Sequence, residues 1–101
     1  MKYLVDFEAL QWESPAPGIR HKLHRVDGRV LRLVEYSHEM EPHWCVRGHI
    51  GHIVDGCLEI EFPSGVIRFQ TGDALFIPPG PKHAHRAAVV SSTATALFVE
   101  E

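Results

Sequence analysis

Apolar and polar positions alternate most cleanly at residues 57–62, CLEIEF. Leu58, Ile60 and Phe62 fall on one side and Glu59 and Glu61 on the other, the pattern of a half-buried strand. Further runs at 29–36, 49–54, 66–69, 74–77, 83–90 and 94–99 read as strands too. Asp27-Gly28, Asp55-Gly56 and Ser64-Gly65 stand between runs. Each pair supplies the positive φ angles that tight hairpins require, so the pattern predicts three hairpins and a mostly antiparallel sheet. Residues 5–12 are the best helical stretch, and it is short. Ser-Pro-Ala-Pro-Gly at 14–18 predicts an extended connector. The expected organisation is an N-terminal arm and connector over 1–18 and one body over 19–101. Eight or so strands with almost no helix predict an all-β antiparallel barrel or jelly roll, an arrangement that removes exposed sheet edges.

Composition narrows the function more than the fold. A length of 101 residues fits one domain, and 45% hydrophobic with 23% charged residues is ordinary for a globular chain. A net charge of −3 argues against a general nucleic-acid binder, which needs a basic face. No apolar run approaches the roughly 18 residues that span a bilayer, and Asp6 and Glu8 interrupt any leader-like core. Cys45 and Cys57 form neither a C-x-x-C pair nor a dense disulfide framework. A cytoplasmic protein with no membrane and no nucleic-acid partner is expected.

Histidine is over-represented, with eight copies. His38, His43, His49 and His52 lie within fifteen residues, and His83 and His85 form a second group. Histidine is the commonest metal ligand and the natural proton shuttle near neutral pH. The second group follows Gly72-Asp-Ala-Leu-Phe-Ile-Pro78-Pro-Gly80-Pro-Lys-His83, spaced G-x5-P-x-G-x2-H. Gly72-Asp73 turns the chain into a short apolar strand, and Pro78-Pro79-Gly80 makes a rigid corner. His83 is expected to open the next strand, aimed by that corner with little rotameric slack. Residues two apart on a strand share a face, which pairs His43 with Cys45 and His83 with His85.

This second group resembles the second motif of the cupin superfamily up to its histidine; where the family expects Asn, four residues on, the chain has Ala87. The first cupin motif is H-x-H, then Glu four residues later, then Gly seven further. Counted back from Gly56, its three ligand positions hold His43, Cys45 and His49. The spacing is kept while two residue types differ, as in small cupins with His in place of Glu. The resemblance spans about residues 29–99.

The resemblance implies a cupin-type barrel with a divalent transition metal in its mouth. The implied ligands are His43, Cys45, His49 and His83. Nitrogen and sulfur donors suit Fe, Zn or Ni over Mg or Ca. Cys45 also reads as a small buried hydrophobe, and His85 as a base behind the ligands or a substitute ligand. His52 is expected outside the pocket, His21 and His24 on the surface of an early strand, and Cys57 and Trp44 in packing. The implied function is a metal-dependent enzyme on a small organic substrate, dioxygenase- or isomerase-like. The alternative is a non-catalytic module binding a sugar or carboxylate. A homodimer is expected, with residues 1–18 available to lie across a partner. Which of Arg32, Glu35, Phe76 and Phe98 lines the mouth stays open at this level.

Overall fold

A computed structural model describes residues 3–100. Nine strands run in order: β1 (Glu13–Ala16), β2 (Ile19–Val26), β3 (Arg29–Ser37), β4 (His49–Asp55), β5 (Cys57–Phe62), β6 (Gly65–Gln70), β7 (Ala74–Ile77), β8 (Arg86–Val89) and β9 (Thr93–Glu100). They form a six-stranded sheet, β1-β2-β3-β9-β4-β7, facing a three-stranded sheet, β6-β5-β8, and every pairing is antiparallel. The expected all-β jelly roll is present.

The core follows from strand parity. Val34, Ile53, Leu75, Ile77, Ala94, Ala96 and Phe98 project from the large sheet, and Leu58 and Ile60 project from the small one to meet them. Ile53, Leu58 and Val34 are the largest fully buried side chains. Burial of one such residue is worth about 1.5–3 kcal/mol. Ala94 and Ala96 keep β9 thin at the centre, where bulk comes from its neighbours.

The turns divide into two kinds. Asp27 and Gly28 both take positive φ and close the β2–β3 hairpin, while Ser64-Gly65 closes β5–β6. Asp55-Gly56 does not make a hairpin. β4 pairs with β7 and β9, and β5 pairs with β6 and β8, so this corner passes the chain from one sheet to the other. Gly56 has φ 97°, and a Cβ there would meet the Thr93 carbonyl oxygen at 2.4 Å. Local turn chemistry reads the same in a hairpin and in a sheet-to-sheet corner; only the pairing partners distinguish them.

Other expectations change locally. Residues 5–12 hold only a single 3₁₀ turn, Phe7–Ala9, capped by the Asp6 side chain. Within the stretch expected to be a connector, Glu13–Ala16 is a strand paired to β2. The strand expected from residue 83 starts at Arg86, because Pro81–His83 forms a 3₁₀ turn behind the proline corner.

Candidate metal centre

Two loops deliver the chemistry. The long β3–β4 connection brings Cys45 beside His85, which precedes β8. Cys45 N donates to His85 O at 2.7 Å, and His85 N donates to Cys45 O at 3.0 Å. His49, the first residue of β4, projects from the same side as Ile53 and so faces the interior. One ligand atom each from Cys45, His49 and His85 lie within 4.8 Å of one another. The rings of His49 and His85 stand edge to face at 5.2 Å, and His49 also packs on Phe98 at 4.9 Å. The cluster faces a cavity of ≈ 200 Å³ bounded by both sheets, with Tyr36, Met40 and His43 also on its wall.

Both imidazoles are held in a ligating form. His85 is buried, and its Nδ1 lies 3.0 Å from the His83 carbonyl oxygen. A carbonyl only accepts, so Nδ1 carries the proton and Nε2 presents its lone pair. Burial, then the neighbouring His85, lowers the pKa of His49 to about 4, which keeps its imidazole neutral at pH 7. The buried Nδ1 of His49 has no hydrogen-bond partner among the described residues. Such an orphan is costly unless something bonds it. Cys45 Sγ accepts a hydrogen bond from Arg47 N at 3.4 Å, which holds the sulfur on the cavity side of its loop. One soft sulfur and two imidazoles, with one nitrogen unpartnered, fit a borderline transition ion such as zinc or iron.

The residues singled out by sequence take different places. The structure brings Cys45, His49 and His85 together. His43 is exposed on the wall of the same cavity, with Nδ1 3.3 Å from Glu41 O. His83 sits at the end of the 3₁₀ turn and lines a separate groove with Phe62, Pro63, Phe69 and Phe76. Its backbone carbonyl still reaches the centre, through His85. Arg32 and Phe98 face the cavity, while Phe76 is 71% exposed and Glu35 binds Arg20 on the outer side. Trp44, expected in packing, is 49% exposed, with the Arg86 guanidinium 5.1 Å from its ring. His52 is exposed and Cys57 half-buried; both cysteines are free thiols.

One arrangement was missed. His21, expected at the surface, is half-buried, and its Nδ1 accepts from Arg32 Nε at 3.0 Å. Burial first, then Arg32, lowers its pKa, so it stays a neutral acceptor. Arg32 Nη1 reaches Glu100 at 3.3 Å on the other side. The available signal was parity: Arg32 shares a strand face with Val34 and Tyr36.

Comparison with solved structures agrees with this architecture. An RmlC-like cupin from Shewanella frigidimarina superposes with a TM-score of 0.74 at 14% identity, covering 98% of this chain and 89% of that one. The chain has the cupin fold. KdgF from Halomonas sp. matches this cupin barrel with a TM-score of 0.76 at 22% identity, covering 98% and 91% of the two chains. The polyketide cyclase RemF from Streptomyces resistomycificus gives 0.75 at 24%, covering 98% and 78%. No protein-family model matches the chain, and no curated protein matches it significantly. Among the described residues no helix is long and apolar enough to cross a membrane.

Proposed function

We propose that this cupin is a metal-dependent enzyme acting on a small organic substrate. The observation that carries the reading is the convergence of Cys45, His49 and His85 within 4.8 Å at a cavity between the sheets. These three residues would hold the ion, and His43 stands on the same cavity wall outside the cluster. A bound zinc or iron ion would act as a Lewis acid or activate a water, and three protein ligands leave it a position for either.

The protein's own groups set the conditions. Neutral His49 keeps its lone pair through the physiological range. The His83 carbonyl fixes the His85 ring. Leu58, Ile60, Leu75, Ile77 and Phe98 line the inner wall and exclude water from one side of a ligand. One similar structure, RemF, is itself a cyclase, so the barrel shape accommodates catalysis. The reading carries with it a reducing, cytoplasmic location, because the thiol at Cys45 must stay unoxidised to ligate. We also propose a homodimer, supported by the outer row Leu31, Val99, Ile50 and Phe76, which runs across four paired strands with three members about half-exposed or more. Light scattering at micromolar concentration tests it, and a monomeric mass would refute it.

The deciding test of the metal reading is metal content by mass spectrometry on untagged protein, with His49→Ala and His85→Ala. Near-stoichiometric metal, removed by both substitutions, is expected. A wild type that carries no metal and takes none up on soaking would overturn the reading.

A further inference from the structure

The cavity carries a charge pattern that the metal ligands do not explain. Arg32, Arg47 and Arg86 line it, and no carboxylate does. A guanidinium offers donors only, in a planar fork matched to carboxylate oxygens. Arg86 is engaged by Glu61 at 2.6 Å. Arg32 is 84% buried at its side chain, being 16% exposed, and is held as a plate between His21 at Nε and Glu100 at Nη1. Its Nη2 has no protein partner among the described residues. Arg47 has no ion pair among the described residues, and its backbone nitrogen binds Cys45 Sγ, so its side chain leaves from the ligand loop itself.

Tyr36 adds a third donor. It lies two turns of the strand pleat beyond Arg32 on the same face of β3 and lines the same cavity. Burial raises its pKa to about 12, so its hydroxyl remains protonated. Arg32 and Arg47 line the same cavity as Cys45, His49 and His85.

We propose that the cavity binds a small organic monocarboxylate, its carboxylate held by Arg32 and Arg47 with the Tyr36 hydroxyl as third donor. Charge and size select this class. In the metal-free cavity Glu100 offsets Arg32 and Glu61 offsets Arg86, leaving the exposed Arg47 as the one lining arginine without a carboxylate partner among the described residues, a charge that a carboxylate matches and a nearly dianionic phosphate exceeds. A space of ≈ 200 Å³ is below the roughly 300–1,000 Å³ of drug-sized sites, which favours a small ligand over a nucleotide or oligomer. The assignment deepens the metal-centre reading and rests on it for the position of the reacting end; recognition of the carboxylate rests on the arginines.

The test is a titration with benzoate, with benzamide as neutral isostere and with inorganic phosphate, followed by calorimetry and by nuclear magnetic resonance of the aromatic residues. It is run on metal-free and on zinc-loaded protein. Benzoate is expected to bind the metal-free protein at least about tenfold more tightly than benzamide or phosphate. Arg47→Gln and Tyr36→Phe should each weaken benzoate, Arg47→Gln by about tenfold or more, the scale of one lost charge-assisted contact. Arg32→Gln should do the same where it folds, and Arg68→Gln on β6 should change nothing. Equal binding of benzoate and benzamide, an unchanged affinity in Arg47→Gln, or no benzoate binding in either form overturns the proposal. Zinc uptake without benzoate binding sinks this proposal alone; benzoate binding by a protein that takes up no metal sinks the metal reading alone.

Discussion

Cys45 and His85 face each other across an isolated antiparallel bridge, with both backbone hydrogen bonds made, at 2.7 and 3.0 Å. Each bond fixes the backbone that carries a donor, so the two side chains keep their separation without help from a strand. A thiolate in this position should be visible spectroscopically. Cobalt-loaded wild type is expected to show a thiolate-to-metal charge-transfer band, and Cys45→Ser to lack it while binding cobalt at least about tenfold more weakly, the lower end for loss of a group supporting a metal site. A band that persists in Cys45→Ser would remove Cys45 from the ligand set.

His83 and His85 differ by two residues and have opposite predicted phenotypes. His83 touches the centre through its carbonyl, which any residue supplies, whereas His85 offers its ring nitrogen. His83→Ala should retain stoichiometric metal and a melting temperature close to wild type. His85→Ala should lose the metal. Metal analysis of the two variants side by side decides the point, and loss of metal in His83→Ala would return that imidazole to the ligand set.

The strand pattern carried the architecture because period-two alternation reports directly which side chains share a face. Leu58, Ile60 and Phe62 could be placed inward from the sequence of β5 alone. The histidines were harder, because a motif spacing counts residues and not the path between them. Pro78-Pro79-Gly80 reads as a corner, but the added Pro81 continues it into a 3₁₀ turn, so the strand begins three residues late and His85 precedes it. The same limit applies to Asp55-Gly56, whose dipeptide specifies a turn but not the sheet that receives the chain. The His21–Arg32–Glu100 arrangement links β2, β3 and β9, strands up to 68 residues apart in sequence, and no local pattern encodes that proximity.

The lowered pKa of His49 ties stability to pH in the metal-free protein. Its value is about 4 in the fold against 6.5 in an unfolded chain, with burial the larger cause and His85 the next. Between those values the unfolded state binds the extra proton, so stability is full above pH 6.5 and falls as pH drops toward 4. Lowered His21 adds in the same direction. Thermal melts of metal-free protein from pH 8 to pH 4 should show the decline, and His49→Gln should flatten part of it. A His49→Gln profile parallel to wild type throughout would show that His49 is not the group responsible.

Gly51 sets how closely β4 can lie against β9, and so where His49 stands two residues before it. A Cβ at Gly51 would meet the Leu97 carbonyl oxygen at 2.1 Å and Phe98 Cδ1 at 2.6 Å. Backbone oxygen cannot swing aside as a flexible side chain can, so Gly51→Ala must push the two strands apart or displace Phe98. Overpacking of this kind costs about 1–3 kcal/mol, which in a domain of this size lowers the melting temperature by roughly 4–8 °C per kcal/mol. Because Phe98 packs on the His49 ring, the same substitution should weaken metal binding even under conditions where the protein stays folded. Paired melting and zinc-affinity measurements on Gly51→Ala check both parts. A variant that melts with wild type would show that the strands have room to separate, and a destabilised variant with unchanged zinc affinity would show that the centre does not depend on the β4–β9 contact.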